Sequence, residues 1–278
     1  MTTTTKIPPI LAGKRGIITG ALDANSIAWR VALKAKAAGA DFVLTNAPVA
    51  LRLGQINELA QTCQTIVVPA DATSLDDIGQ LYTQATEHLG GKLDFVLHSI
   101  GMSPNVRKKR SYDNLNYDWM LKSLDISALS FHKMMQVGDK MGVFNDHASI
   151  LGLSYIAAQR TFPDYGDMAQ AKAALESIAR SYGYFLGKKQ GIRVNTLSQS
   201  PTPTTAGTGV GGFDAFMAYA DQMSPLGNAT ADDCADYILT LFSDLTRKVT
   251  MQNLYHDGGF SAMGISAELM ELFASQQS

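Results

Sequence analysis

Short apolar runs rich in β-branched residues alternate with helical patterns along most of the chain, and this alternation constrains the fold more than any other feature. Seven runs predict strands: residues 15–20, 41–46, 65–71, 94–101, 148–154, 192–198 and 249–259. Helical patterns lie between them at residues 26–38, 74–89, 117–135, 164–186 and 231–242. Because strands that alternate with helices form parallel sheets covered on both faces, the sequence predicts a doubly wound, Rossmann-like α/β fold with a seven-stranded parallel sheet.

The chain shows no linker, repeat or charge block that would divide it. Its 278 residues, 46% of them hydrophobic, suit one large core, so we expect a single domain over residues 1–278. The one long irregular stretch, residues 198–212, follows the sixth predicted strand, where open α/β sheets bind ligands. We expect a substrate-binding lid around residues 198–224. The helically spaced apolar residues Phe213, Phe216, Met217 and Tyr219 fit either core packing or a lid helix over an acyl chain.

Composition excludes several classes of protein. A net charge of -2 creates no field that favours nucleic acid or an anionic membrane, and a charged fraction of only 17% fits a buried subunit interface. Cys63 and Cys234 belong to no paired spacing, so we expect reduced thiols. No run is apolar for long enough to span a bilayer, and the five histidines have no ligand spacing. We expect a soluble, cytoplasmic protein without a metal site.

The ends of the first, third and fourth predicted strands indicate a dinucleotide site, the fourth because the backbone of "HSIG" (98–101) would pass beneath a ribose. Gly20, after the first strand, permits a tight turn, and Ser26 can cap the next helix with its N–H groups facing a pyrophosphate, although an ordinary strand-to-helix turn fits equally well. Asp71, after the third strand, fits either an adenine contact or a helix cap. The second strand ends without an acidic residue for the ribose or a basic residue for a 2'-phosphate, and Arg52 is the first cation after it. This favours NADH over NADPH.

Two tyrosine–lysine pairs compete for the catalytic role. Tyr165 and Lys172 are seven residues apart, and in a helix that spacing places them within about 20° of one face. A helical lysine leans toward the N-terminus, so a nicotinamide ribose between the two side chains would touch both. Tyr155 reaches this place only from the preceding loop. The alternative pair, Tyr184 and Lys188, lies late in a helix that we expect to end near Gly187, at the opposite end of the sheet.

The spacing Tyr155-x9-Tyr165-x6-Lys172 resembles that of the NADH-dependent enoyl-acyl-carrier-protein reductases of bacterial fatty-acid synthesis, members of the short-chain dehydrogenase/reductase superfamily. The segments that share this resemblance are "HSIG" (98–101), "LDISALSF" (124–131), "GIRVN" (191–195) and "HDGGF" (256–260). Two segments depart from the family pattern: "QSPTPTTAG" (199–207) replaces an Ala-Gly-Pro-Ile-basic-Thr pattern, and Ala47 stands where a glutamine is common. The resemblance therefore does not determine the shape of the lid, the nicotinamide contacts or the contacts to the adenosine ribose.

The resemblance implies reduction of the C2=C3 double bond of a trans-2-enoyl thioester, with Tyr165 donating a hydrogen bond to the enolate oxygen and Lys172 binding the ribose. The ordinary ketone reducers carry a serine where this chain has Tyr155 and place their tyrosine four residues before the lysine. The shift to Tyr165 suits an oxygen two carbons away from the hydride acceptor. Lys172 should lower the pKa of a nearby tyrosine. Tyr155 could relay a proton, contact the substrate or fill the pocket.

By the same resemblance, Ser103 lies beside the acyl thioester, and NADH contacts Gly20, Ser26, Ile27, Asp71, Ala72, Ile100, Lys172, Thr202 and Thr204. The implied partner is an acyl carrier protein, and the implied assembly is a homotetramer. The basic run Arg107–Arg110 is either a solvated loop or part of the surface that docks this acidic carrier. Two other functions stay open: a short-chain reductase acting on a carbonyl, which would need a tyrosine four residues before Lys172, where this chain has Met168, and a non-catalytic NAD-binding regulator.

Overall fold

The computed structural model describes residues 8–52, 55–204 and 212–276, and these residues form a parallel sheet of six strands with helices on both faces. The strands are β1 (Arg15–Thr19), β2 (Asp41–Thr45), β3 (Leu93–His98), β4 (Phe144–Ser154), β5 (Arg193–Gln199) and β6 (Asn253–His256). Their order across the sheet is β2-β1-β3-β4-β5-β6. The chain leaves β1 for β2 on one side and later returns to β3 on the other side. The crevice between the carboxyl ends of β1 and β3 is therefore the expected ligand site.

Alternating residues of each strand pack against opposite layers of helices. The helices are α1 (Ile27–Ala37), α2 (Pro48–Leu51), α3 (Ile56–Cys63), α4 (Leu75–Leu89), α5 (Pro104–Arg107), α6 (Tyr117–Leu124), α7 (Ser130–Met141), α8 (Met168–Gln190), α9 (Phe213–Met223), α10 (Ala231–Phe242) and α11 (Ala267–Ser275). Ile18 and Leu44 join the cluster under α1, α3 and α10, whereas their neighbours Ile17 and Val43 join the cluster under α4, α7 and α8. Burial on both faces explains why the strands are apolar runs. The doubly wound, Rossmann-like prediction is confirmed.

The prediction of a seventh strand at residues 65–71 is wrong. This segment lies along β2 and forms backbone hydrogen bonds with it, including Val68 N to Leu44 O at 2.9 Å, but it pairs with β2 only at one bridge, Leu44 with Val67. Pro69 interrupts the run of strand-forming residues, and proline is disfavoured inside strands. The segment therefore ends the sheet as an irregular edge.

Helix boundaries differ from the prediction most around the site. Residues 117–135 form α6, then a π-helical turn over Asp125–Leu129, then α7, which continues to Met141. The helix predicted from residue 164 begins only at Met168 and ends at Gln190, not near Gly187. In contrast, α1, α4 and α10 match their predicted ranges to within one residue at each end.

The two cysteines match the expectation of reduced thiols. Cys63 and Cys234 are buried free thiols. Burial raises the pKa of Cys63 to about 11, although Lys36 partly opposes this, so the thiol stays protonated at neutral pH. Within the described ranges, no helix has both the length and the apolar character that a bilayer crossing requires.

Candidate active site

The turn after β1 brings the backbones of two strand ends into contact. Gly20 has φ +82°, and a β-carbon there would overlap the carbonyl oxygen of Ser99, at the end of β3. Its amide donates to Thr45 O at 3.1 Å. Both the positive φ and the contact require glycine. The structure therefore explains Gly20 by close packing of the three strand ends as well as by the tight turn.

Ser26 holds this turn rather than the helix that follows. Its Oγ accepts hydrogen bonds from the amides of Leu22 and Asp23, both at 3.0 Å, and donates to Asp23 O at 2.7 Å. The prediction that its side chain caps α1 is wrong, although Ser26 does occupy the N-cap position. The Ser26 side chain does not cap the first turn of α1, which begins at Ile27, and no other side-chain cap is present there among the described residues. Its N–H groups therefore suit an anionic ligand such as a pyrophosphate.

The edge near β2 offers polar but not cationic groups. Asn46 Nδ2 donates to Ala21 O at 3.0 Å, and Asn46 Oδ1 accepts the amide of Ala47 at 2.9 Å. Arg52 is exposed just after α2, and Lys14 pairs with Asp244 at 3.1 Å. No basic side chain within the described ranges is thus built into the end of β2.

Asp71 is exposed and belongs to a local turn that precedes α4. Its Oδ1 accepts from the amide and the hydroxyl of Thr73, at 2.9 and 2.8 Å. The helix-cap alternative is wrong, because Ser74 provides the cap of α4. Ala72 lies partly exposed in the same turn. The turn therefore presents Asp71 and Ala72 at the same edge of the sheet as the end of β2.

The end of β3 passes directly beside Lys172. A methyl group on Gly101 would lie 3.6 Å from Lys172 Nζ, and the partly buried Ile100 precedes Gly101. His98 is fully buried, with Nε2 2.7 Å from Ser130 Oγ. Burial, with a smaller contribution from the Lys172 charge, lowers the pKa of His98 to about 3, so its imidazole is neutral.

Lys172 is buried on α8, where its Nζ donates to Leu153 O at 2.6 Å. Burial lowers the pKa of Lys172 to about 8, and the Glu176 carboxylate, one turn later, opposes this shift. The ammonium group is therefore close to its titration point near neutral pH.

Tyr165 reaches the site from outside the helix. It ends a 3-10 turn, Pro163–Tyr165, and Gly166, with φ +50° and ψ -135°, separates that turn from α8. The helical-face argument for Tyr165 and Lys172 is therefore wrong. The ring of Tyr155, which directly follows β4, instead lies 5.0 Å from the Tyr165 ring, measured between centroids. The structure thus joins the two tyrosines directly.

Both phenols are harder to ionise than a free tyrosine. Burial raises the pKa of Tyr165, and burial followed by the proximity of Tyr165 and Asp257 raises the pKa of Tyr155. The expectation of a tyrosine pKa lowered by Lys172 is wrong for this structure because desolvation is the dominant effect. Both tyrosines are protonated at neutral pH and are able to donate hydrogen bonds.

The Ser103 hydroxyl forms hydrogen bonds within the protein that hold α5 in place. Its Oγ donates to Asp167 Oδ1 at 2.5 Å and accepts the amide of Val106 at 3.1 Å, which caps α5. The fully buried Asp167 also accepts from Asn105 Nδ2 at 3.0 Å and Ser123 Oγ at 2.8 Å. Ser103 therefore joins α5 to the start of α8, and its hydroxyl is not directed freely toward a ligand.

The segment after β5 precedes helix α9, which contributes Phe216 to an aromatic cluster formed with Tyr155, Phe162 and Phe260. Thr202 is buried, with Oγ1 3.0 Å from Ser200 O, and the amide of Thr204 donates to Thr202 O at 2.7 Å. Residues 205–211 of the predicted lid lie outside the described residues. The predicted helix beyond them is present as α9, and its Phe216 packs against Phe162 at 5.2 Å and Phe260 at 6.2 Å.

The competing pair is excluded by position. Tyr184 is 53% exposed and packs against Phe185 on the surface of α8. Lys188 is also exposed. Both residues lie at least twelve positions after Lys172 on α8, which at 1.5 Å per residue is about 18 Å or more along the helix.

Three polar residues at the site were missed from the sequence: Ser127, Asp167 and Glu176. Ser127, in the π-helical turn, accepts the amide of Met102 at 3.0 Å, and Glu176 binds residues on both sides of Tyr155. The sequence did contain a signal for two of them, because Asp167 and Glu176 are carboxylates next to apolar residues. Asp167 directly precedes α8, and Glu176 lies within it.

Comparison with known proteins shows the family to which the chain belongs. The family model described as "Enoyl-(Acyl carrier protein) reductase" matches residues 20–261. The chain is 34% identical to enoyl-[acyl-carrier-protein] reductase [NADH] 1 of Rhizobium meliloti over 260 residues, which cover 93% of this chain and 94% of that protein. The FabI–NADH complex from Alistipes finegoldii matches with TM-score 0.92 and 64% identity over 93% of this chain and 91% of that one. The reductase of Anaplasma phagocytophilum in complex with NAD matches with TM-score 0.85 and 29% identity over 94% and 97% of the two chains. The chain belongs to the family of NADH-dependent enoyl-[acyl-carrier-protein] reductases.

Proposed function

We propose that this protein reduces the C2=C3 double bond of trans-2-enoyl-acyl-carrier-protein thioesters in fatty-acid elongation, at the site formed by Tyr155, Tyr165 and Lys172. The observation that carries the proposal is the pair of protonated tyrosines, with ring centroids 5.0 Å apart, at the carboxyl end of β4, where Lys172 is anchored to Leu153. NADH supplies the hydride that adds to C3. Tyr165 donates a hydrogen bond to the thioester oxygen as negative charge collects there, and C2 is then protonated.

The residues around the crevice fit a dinucleotide. Gly20 leaves no side chain between the ends of β1 and β3, and the first turn of α1, at Ser26 and Ile27, has no side-chain cap. Asp71 and Ala72 suit the adenine end, and Ile100 and Lys172 suit the nicotinamide ribose. Thr202 and Thr204 lie on the segment that follows β5. We assign cofactor contacts to all of these residues.

The remaining assignments concern the substrate. We propose that the lid expected around residues 198–224 includes α9, which covers the acyl chain, since Phe216 on α9 packs against Phe162, and Phe162 packs against Tyr155. Ser103 contributes to the thioester pocket by fixing α5 through Asp167, not by a free hydroxyl. We also propose that residues 1–278 function as a single domain.

The test of the function is substrate discrimination. The purified protein should consume NADH with crotonyl or longer enoyl thioesters but not with 3-oxoacyl thioesters, as measured by NADH absorbance. Reduction of the 3-oxoacyl thioesters would instead favour the carbonyl reductase alternative, although this chain has Met168, and not a tyrosine, four residues before Lys172. NADH binding without turnover of either substrate would favour a regulator.

NADH should be used with a higher kcat/KM than NADPH. A 2'-phosphate at the end of β2 would meet Asn46 and Ala47, while Lys14 is held by Asp244. Initial rates with the two cofactors at matched concentrations give the comparison. A preference for NADPH would contradict this expectation and would point to Arg52 as the phosphate ligand.

Reversing the positive charge of the basic loop after β3 should raise KM for the carrier-bound substrate. Arg107, Lys108 and Lys109 are exposed, and within the described residues none of them forms an ion pair, whereas Arg110 is held by Asn114. The variant Arg107→Glu/Lys108→Glu should raise KM for enoyl-carrier substrates by about three- to tenfold, and the effect should shrink in salt.

The matched control is Lys188→Glu, which reverses an exposed charge on α8. The Arg107→Glu/Lys108→Glu variant should raise KM much less for coenzyme A thioesters than for carrier-bound substrates. Equal increases in KM for both kinds of thioester would show that this basic loop does not dock the carrier.

We further infer a homotetramer located in the cytoplasm. Apolar side chains are exposed on α6 and α8, among them Tyr117, Leu121 and Phe185 with exposed fractions of 78%, 64% and 66%. Large exposed apolar groups on adjacent helices fit a subunit interface. Light scattering should give a molar mass four times that of the chain, and a monomeric mass would refute the assembly.

A further inference from the structure

Glu176 is a buried carboxylate that the proposed chemistry does not use. It is 4% exposed and lies on α8 one turn after Lys172. Its Oε1 accepts a hydrogen bond from Ser154 Oγ at 2.7 Å, and its Oε2 accepts one from Gln159 Nε2 at 3.0 Å. Because burying a carboxylate is costly, these bonds must compensate for lost solvation.

The two donors flank Tyr155. Ser154 is the last residue of β4 and directly precedes Tyr155, while Gln159 directly follows the 3-10 turn Ile156–Ala158. One carboxylate therefore binds both ends of the short loop that carries the tyrosine. Lys172 anchors the same segment one residue earlier, at Leu153 O.

Gln159 is itself oriented from a third element. Tyr255, on β6, donates its hydroxyl hydrogen to Gln159 Oε1 at 2.6 Å. This contact fixes the amide oxygen and leaves the amide nitrogen to donate to Glu176. The loop is thus bound to β4, α8 and β6 through one connected set of side chains.

We propose that Glu176 is a positioning residue that holds the Tyr155 loop, through Ser154 and Gln159, so that the Tyr155 ring stays against Tyr165. The inference rests on the proposed function in taking the two tyrosines as the substrate pocket. The Glu176 charge has a second effect on the site, because it opposes the desolvation that lowers the pKa of Lys172.

The first experiment is hydrogen exchange on the full-length protein. Ser154→Ala removes one donor to Glu176, and Glu176→Gln removes the carboxylate while keeping its size. Both should increase amide exchange at residues 158–160, whose amides bond to Tyr155 and Ile156 across the turn.

The matched control is Ser149→Ala. Ser149 lies on the same strand and is equally buried, but its hydroxyl bonds to Leu241 O at 2.8 Å, away from the tyrosines. It should leave exchange at residues 158–160 unchanged. Equal exchange in Ser154→Ala and Ser149→Ala would overturn the proposal, including the case in which Glu176→Gln does not fold.

The second experiment is kinetic. With an enoyl thioester, Ser154→Ala should lower kcat about tenfold while the Kd for NADH changes less than twofold. The same substitution in a Tyr155→Phe background should cause a much smaller further loss, because coupled residues are not additive. Full additivity, or a kcat equal to that of Ser149→Ala, would overturn the positioning role. A wild-type protein that reduces no enoyl thioester would contradict only the proposed function, since exchange still tests the Glu176 contacts.

Discussion

Tyr165→Phe lowers kcat for enoyl thioesters by about 10²–10³-fold, the usual cost of removing one donor to a developing oxyanion. The substitution keeps the ring and its packing against Tyr155 but removes the hydroxyl. Burial keeps the Tyr165 phenol protonated, so the wild-type residue is a hydrogen-bond donor throughout the neutral pH range. Steady-state NADH oxidation at saturating substrate measures the loss.

The control is Tyr184→Phe, which removes a phenol hydroxyl from the exposed surface of α8. It should be nearly silent, and Tyr155→Phe should fall between the two variants. If Tyr184→Phe abolished turnover while Tyr165→Phe kept full activity, the assignment of the site and the enoyl reduction would both fail.

Lys172→Met should raise KM for NADH by about ten- to a hundredfold, because a charged hydrogen-bond donor to the ribose is lost while the apolar stem remains. In the wild-type protein the same loss should develop with pH. The pKa of Lys172 is about 8, so the side chain is charged below that pH and neutral above it. KM for NADH should therefore rise as the pH passes 8, whereas the Lys172→Met profile should stay flat.

The contribution of Lys172 to stability should increase over this pH range, although NADH binding becomes weaker. Folding lowers the Lys172 pKa from 10.5 to about 8, so between these values the unfolded chain binds more protons than the folded one. The contribution of Lys172 to the free energy of unfolding therefore increases from pH 8 to pH 10.5. Glu176 on α8 is the charged neighbour that acts on the pKa of Lys172, whereas His98 on β3 is neutral because burial and the Lys172 charge lower its own pKa.

Lys188→Met is the control for this pair of measurements, since Lys188 is exposed on the same helix. It should leave both pH profiles unchanged. A wild-type KM for NADH that stays constant from pH 7 to pH 10 would show that the Lys172 charge does not contribute to cofactor binding.

The arrangement of the sheet was predictable because strands β1 to β5 are largely buried on both faces, which produces apolar runs that sequence patterns detect. The irregular edge at residues 65–71 could not be predicted in this way. Its composition is that of a strand, but it pairs with β2 at only one bridge. Propensity describes the residues of a segment and not the number of partners that the sheet offers it.

The geometry around the candidate residues could not be predicted from their spacing. Tyr165 and Lys172 were placed on one helix face, but Pro163 and Gly166 bracket a separate 3-10 turn, and these two residues were the available warning. The bond from Ser103 to Asp167 joins residues 64 positions apart, and no local pattern reports such a contact. The raised tyrosine pKa values depend on burial, which the spacing alone does not reveal.

The contact between Gly20 and Ser99 limits how this protein could be engineered. No side chain can be added to the turn after β1 without separating two strand ends, so that turn is a fixed part of the scaffold. Ala47 instead precedes the short helix α2 at the sheet edge and is only partly buried. Substitutions that change the preference for NADH or NADPH are therefore best made at the end of β2, whereas Gly20 and the turn that contains it must be kept.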